Sequence, residues 1–160
     1  MTDRPLPESR SAYRHFRAIS TRWMDNDVYG HVNNVQHYSF FDTAVNGYLI
    51  EQGVLDPQNS PVIGLVVETR CNYFDSLSFP DEIHAGLRVA RIGATSVRYE
   101  VGLFRGSATH AAAQGLFVHV YVARSTRRPA ALPDALKRAL APLVMPGLVP
   151  GIHDLKDNPQ

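Results

Sequence analysis

Cysteine is almost absent from this 160-residue chain: Cys71 is the only one. No disulfide can form within the chain, and no cysteine cluster can hold zinc. Long apolar runs are missing too. No stretch approaches the roughly 20 residues that a membrane helix needs, so no membrane span is expected. Nor is there an excess of either charge, since 16 Lys and Arg stand against 15 Asp and Glu for a formal charge of +1. A general nucleic-acid binder needs clustered positive charge, so nucleic acid is not an expected partner. A local basic patch for a phosphorylated small molecule remains open. The start, Met1–Arg10, is polar and carries prolines, without a basic segment followed by an apolar one. No signal peptide is therefore expected, and the protein reads as cytoplasmic. A Gly-x-Ser-x-Gly elbow, a Gly-rich phosphate loop and a dinucleotide fingerprint are also lacking. Ser39 and Ser125 have no aspartate-histidine partner pattern, which argues against a serine hydrolase.

What is present is ordinary globular material: 44% hydrophobic and 19% charged residues, long enough for one compact domain. The expected organisation is an N-terminal arm (1–12), a single domain (13–144) and a flexible tail (145–160). Tyr13 to Trp23 reads as a strand and Met24 to Asn33 as a loop. A helix follows from Asn34 to Gln52, capped by Asn33 or Asn34 and ended by Gly53. Val35, Tyr38, Phe41, Val45, Tyr48 and Leu49 recur at helical spacing, and Phe40, Ala44 and Ile50 widen the stripe. Such a helix is expected to be buried. Four strands come next. Ile63 to Tyr73 alternates, as do Ile83, Ala85, Leu87 and Val89 against His84, Gly86 and Arg88. Val97, Tyr99, Val101 and Leu103 alternate again, and Ala111 to Ala123 is apolar on both parities. That last strand is expected to face a partner subunit or a second buried layer. Pro133 to Leu140 reads as a short helix. The pattern is α+β: an antiparallel sheet of about five strands around one long central helix.

The chemistry concentrates at residues 25–34, where two aspartates, one histidine and three asparagines precede the helix. The first backbone N–H groups of a helix lack intrahelical partners and sit at the positive end of its dipole. A thioester carbonyl set against them would be polarised and its oxyanion stabilised. A nearby carboxylate can attack the carbonyl carbon or activate a water. Taken alone, Asp27 would read as a capping or turn residue.

The run Asp25-Asn26-Asp27, then Gly30-His31-Val32-Asn33-Asn34 and Tyr38, resembles the 4-hydroxybenzoyl-CoA thioesterase branch of the hotdog superfamily. The Phe79-Pro80-Asp81-Glu82-Ile83 turn and the Arg91-Ile92-Gly93-Ala94-Thr95-Ser96 hairpin extend the likeness to about residues 13–140. The resemblance implies a hotdog fold and hydrolysis of an acyl-CoA. Asp27 would be the catalytic carboxylate, and a backbone N–H near Asn34 the oxyanion contact. It also implies a homodimer or homotetramer with each site at a subunit interface. The Gly-His-x-Asn-Asn run is closer to the generic acyl-CoA branch than to the founding aromatic enzyme, which lacks this histidine. Coenzyme A would be part of the substrate, and no separate cofactor is expected.

Around Asp27, the sequence assigns His31 a loop-fixing or substrate-proximal place, with Tyr29, Gly30 and Asn33 beside the substrate. Asp25 is read as orienting the loop. No metal site is expected, because His37, six residues after His31, would face elsewhere. Asp42 is read as structural, and Glu68 as a reserve acid. Arg91 and Arg124 are the candidates for the phosphates of coenzyme A, because arginine binds such groups through paired N–H donors. Ser96 is a candidate substrate contact at the hairpin. Two rival readings remain. One is a hotdog enoyl-thioester hydratase or dehydratase, since Asp25 and His31 fit its pattern loosely. The other is a non-catalytic acyl-CoA-binding protein.

Overall fold

The computed structural model describes residues 4–145. The order is β1 (His15–Ser20), α1 (Asn34–Glu51), β2 (Val62–Tyr73), β3 (Glu82–Ile92), β4 (Ser96–Arg105), β5 (Ala113–Ala123) and α2 (Asp134–Leu140), with three short 3-10 turns between or beside them. The strands form one antiparallel sheet in the order β1-β3-β4-β5-β2. The first strand is shorter than Tyr13–Trp23, because Trp23–Asp25 turns into a 3-10 helix that brings the next loop round.

Alternation in the sequence decides which sheet face is covered. Ile83, Ala85, Leu87 and Val89 of β3 and Val97, Tyr99, Val101 and Leu103 of β4 are all fully buried. Phe40, Phe41, Ala44, Val45, Tyr48 and Leu49 of α1 share a core with them. Phe41 packs tilted against Phe117 of β5, with ring centroids 6.4 Å apart. Fully burying one such ring contributes about 1.5–3 kcal/mol. The opposite face of α1 is open. Val35, Ser39, Asp42, Thr43 and Ile50 are exposed, so the helix lies on the sheet with one side to solvent rather than buried all round. Asp42 therefore needs no buried partner.

The expectation of one long central helix is also corrected. At 1.5 Å per residue α1 is about 27 Å long, whereas the twelve residues of β2 span about 40 Å. A second helical piece completes the core: Leu136 and Leu140 of α2 and the following Leu143 are buried in the same cluster, and Tyr48 Oη donates to the Ala139 carbonyl at 2.5 Å.

Residues 4–12, expected as a loose arm, are held instead. Ser9 bridges to His110, and Arg88 pairs with Glu8 at 2.5 Å. The outer sheet face explains this. A Cβ at Gly86 or Gly102 would lie 2.9 or 2.6 Å from Tyr13, so the two glycines leave a slot that the Tyr13 ring fills. The tail expected from Met145 onward lies outside the described residues beyond Met145 itself. The strand apolar on both parities, β5, lies inside the sheet between β4 and β2, with Leu116, Val118 and Val120 half-buried. The exposed apolar edge is β2, where Leu65, Val66 and Val67 face solvent.

Candidate active site

The loop from Asn26 to Val32 closes on itself. Asn26 and Val32 form an isolated bridge, the Asp27 N–H donates to the His31 carbonyl at 2.9 Å, and the Gly30 N–H to the Asp27 carbonyl at 3.1 Å. Gly30 has φ +80°, a conformation that a side chain would strain. Asp27 Oδ1 accepts the Tyr29 N–H at 2.9 Å, an Asx turn that fixes the carboxylate against its own loop. Its Oδ2 makes no hydrogen bond among the described residues.

Three bonds pin this loop to the segment between β2 and β3. Val32 N–H donates to the Leu77 carbonyl at 2.7 Å, Ser78 Oγ to the Gly30 carbonyl at 2.6 Å, and Phe79 N–H to Asn26 Oδ1 at 3.0 Å. Below it, Asp25 is fully buried. Its Oδ2 accepts the Arg22 N–H at 2.7 Å, and its Oδ1 accepts Arg22 Nη2 at 2.8 Å and Nε at 3.1 Å. The Asp25 carbonyl in turn accepts the Asn33 N–H at 2.8 Å. Asp25 is thus the anchor between loop and helix, as its sequence position suggested.

Asn33 caps α1: its Oδ1 accepts the Val35 N–H at 3.1 Å and its carbonyl accepts the Gln36 N–H at 2.9 Å. Asn33 supplies no acceptor to the Asn34 N–H, which remains a first-turn donor without an intrahelical partner. Tyr73 Oη donates to the Asn34 carbonyl at 3.2 Å and ties β2 to the helix start. Burial, with Cys71 and Tyr38 adding to it, pushes the Tyr73 hydroxyl up, so it stays protonated.

These elements enclose a cleft of about 460 Å³. Asp27, His31, Asn34 and His37 line it, with Val32 and Leu77 among its apolar walls. His37 was expected to face elsewhere. It lies instead on the cleft, buried, with its ring edge-on to Tyr73 at 4.8 Å. Burial pulls its pKa down and keeps it neutral, against a smaller opposing effect of its backbone hydrogen bonds. Among the described residues no group of three His, Cys, Asp or Glu is placed to hold a metal ion.

The other named residues divide by position. Tyr29, Gly30 and Asn33 belong to the loop, with Tyr29 exposed. Trp23, Met24, Val28, Tyr29 and Val35 are large apolar side chains left exposed on these same segments. Arg91 and Ser96 flank the β3–β4 turn, about 30 Å along β3 from its start beside the loop. Arg124 donates to the carbonyls of Ser60 at 2.6 Å and Pro57 at 2.9 Å, near the far end of α1. Within one chain none of these three reaches the cleft. Glu68 is exposed on β2 and pairs with Arg70 at 3.2 Å.

The comparisons agree with this geometry. The PA5185 protein of Pseudomonas aeruginosa strain PAO1 is 55% identical, and its crystal structure superposes with a TM-score of 0.86 over 88% of this chain and 99% of that one. The 1,4-dihydroxy-2-naphthoyl-CoA thioesterase Slr0204 from Synechocystis, 19% identical, shares the fold with a TM-score of 0.71 over 78% of this chain and 93% of its own. YsmA of Bacillus subtilis strain 168, an uncharacterized protein, is 22% identical over 95 residues, which are 59% of this chain and only 64% of YsmA. A family model described as the thioesterase-like superfamily matches residues 21–140, from the start of the aspartate loop to the end of α2. Motif, fold and family match coincide over those residues, and the chain belongs to the thioesterase-like superfamily.

Proposed function

We propose that this protein hydrolyses acyl-CoA thioesters, with Asp27 as the catalytic carboxylate. One observation carries the reading: Asp27 and the first turn of α1 open onto the same cleft. A thioester carbonyl laid against the Asn34 N–H would have its developing negative charge held by that donor and by the helix dipole. Asp27 then adds to the carbonyl carbon or takes a proton from the water that does so. The carbon–sulfur bond breaks, and the thiolate of coenzyme A leaves and takes up a proton; where Asp27 itself has added, a water then hydrolyses the acyl-aspartyl anhydride, and by either route the carboxylic acid is released and the Asp27 carboxylate restored. Coenzyme A is part of the substrate, and the step calls for no redox change. Membership of the superfamily supports the reading, as does the named activity of Slr0204.

The same reading includes a second copy of the chain. The exposed apolar side chains of these segments and the edge strand β2 lie on parts of the chain that border the cleft, and a second subunit on that edge would wall it. No helix among the described residues is long and apolar enough to cross a membrane.

The test is release of free thiol from short, long and aromatic acyl-CoAs by wild type and Asp27→Asn side by side. A fall of about a hundredfold or more in the variant is the result expected for the loss of a nucleophile or general base. Turnover unchanged in Asp27→Asn would remove the central assignment. Water addition to crotonyl-CoA without thiol release would point to the hydratase chemistry instead.

A further inference from the structure

The segment that pins the Asp27 loop is itself neither helix nor strand: residues 74–81 connect β2 to β3 without a ladder of their own. Leu77, Ser78 and Phe79 of this connector make the three bonds to the loop. A stretch without regular pairing is held only by what its isolated amides and side chains find. The place of Asp27 therefore depends on what fixes the connector.

One side chain fixes it on both flanks of those three residues. Arg105 is the last residue of β4, a strand paired on one side with β3 and on the other with β5. Its Nε donates to Asp81 Oδ2 at 3.2 Å, its Nη2 donates to the Ser76 carbonyl, and its Nη1 lies 3.5 Å from Asp75 Oδ2. A guanidinium presents its donors in a rigid planar fork, which lets one residue hold acceptors on three others. Asp81 passes the hold on. The same Oδ2 accepts the Ser78 N–H at 3.0 Å, and the Asp81 N–H donates to the Ser78 carbonyl at 2.7 Å. The Asp81 carbonyl accepts Thr21 Oγ1 at 2.6 Å, which ties this corner to the segment after β1.

Arg105 and Asp75 are exposed, and exposed ion pairs contribute little to the stability of a fold. The clasp does more for local geometry. Asp75, Ser76 and Leu77 line the cleft beside Asp27, whereas Arg105 is not one of the cleft's lining residues. Any influence of Arg105 on turnover therefore runs through the connector.

We propose that Arg105 is a positioning residue for the reaction. By clasping Asp75, Ser76 and Asp81 it sets one wall of the cleft and, through Leu77, Ser78 and Phe79, the place of the Asp27 carboxylate. Its bearing on turnover rests on the thioesterase reading, and the clasp itself does not.

The test compares wild type with Arg105→Gln by amide hydrogen exchange and by steady-state thiol release. The Val32 and Phe79 N–H groups, which bond loop to connector, should exchange about tenfold faster in the variant, with the β3–β4 ladder amides within about twofold of wild type. Tm should stay within about 2 °C. Misplacing a group that acts in the transition state should lower kcat about tenfold and leave KM within about twofold. Arg105→Lys keeps the charge without the fork and should recover neither readout. The proposal falls if exchange at Val32 and Phe79 is unchanged, or if it rises equally in the β3–β4 ladder, which would be general destabilisation. It falls if faster exchange leaves kcat unchanged, or if KM rises at constant kcat, since Arg105 would then act on the charge of the substrate. Recovery in Arg105→Lys would overturn the fork. A wild type that releases no thiol would remove the thioesterase reading, and the exchange result would still decide the clasp.

Discussion

Nδ1 of His37 lies 3.2 Å from the carbonyl oxygen of Asn33, the residue that caps α1. A carbonyl only accepts, so Nδ1 carries the proton. That carbonyl belongs to the same planar trans peptide as the Asn34 N–H, and holding one end aims the other. His37 is therefore a positioning residue for the proposed oxyanion donor. Replacing it by Phe loosens the peptide without removing the donor. His37→Phe is expected to lower kcat about tenfold, less than the loss of a whole oxyanion-hole donor, and to leave KM within about twofold. Steady-state thiol release checks this. A rise in KM at constant kcat would put His37 in the binding wall instead.

Asp25 and Asp27 stand two residues apart in opposite surroundings. Asp25 is fully buried and accepts three hydrogen bonds from Arg22, whereas Asp27 is half-buried and accepts one from its own loop. Asp25→Asn is expected to destabilise the fold by about 2 kcal/mol, the scale of hydrogen bonds to a buried charge. Asp27→Asn should change stability by less than about 0.5 kcal/mol while removing activity. Urea unfolding of both variants separates the roles. Equal destabilisation would make any activity lost in Asp27→Asn a folding effect.

Gly115 of β5 faces the core directly under Phe41: a Cβ there would lie 2.2 Å from the ring. Phe41 is fully buried and cannot swing aside into solvent. Gly115→Ala is expected to cost about 2 kcal/mol, within the range for overpacking. A drop in Tm with normal loop chemistry would show it. A neutral substitution would mean that α1 can shift outward on the sheet.

The parts of this architecture that depend on local pattern could be read from the sequence. Alternation marked β3 and β4, and helical spacing with Asn33 and Gly53 marked α1 to within a residue. The loop was legible because its turn chemistry is local: Asp27, Gly30 and Asn33 each bond within a few residues. His37 was missed, although Asn33 and His37 are four apart and so share one face of the first helical turn. The spacing was compared with that of His31, in the loop, where helical geometry does not apply. The Tyr13 slot was hidden for another reason. It needs Gly86 and Gly102 side by side on two strands, and only the β3–β4 register brings them together. Arg91 and Ser96 were read at the β3–β4 hairpin and Arg124 at the end of the last strand, where they lie; how far those strand ends stand from the loop within one chain depends on the strand pairing, which the pattern of a single strand does not carry.

Two buried histidines predict how stability depends on pH. Burial lowers the His119 pKa to about 4, and burial also lowers that of His37. In the unfolded chain both return to about 6.5. The unfolded state therefore binds protons first as pH falls, and stability is full above about pH 6.5 and lost on the way down toward about 4. For His119 the share lost between pH 7 and pH 5 is about 2 kcal/mol. Urea unfolding at the two pH values should show that loss in wild type, and it should shrink by about that amount in His119→Phe. An unaltered pH dependence in the variant would mean that His119 is solvated in the native state.

The sheet leaves β2 as one of its edges, with Leu65, Val66 and Val67 exposed in sequence and Val67 the extra residue of a bulge. Leu65 and Val66, paired in register ahead of the bulge, point to opposite faces, so apolar surface is open on both sides of this edge. A long apolar edge is a pairing site unless something covers it. Antiparallel pairing with a second copy of β2 is self-complementary, because one two-fold axis through the strand centre satisfies both chains at once. Light scattering on the wild type is expected to give twice the mass of one chain or a multiple of it. Val66→Lys with Val67→Lys sets charges against their own symmetry mates and should reduce that mass to a single chain. If the cleft is completed across this edge, thiol release should fall in step with the loss of the dimer. A wild type that runs as one chain, or a double variant that keeps the larger mass, would place the contact elsewhere.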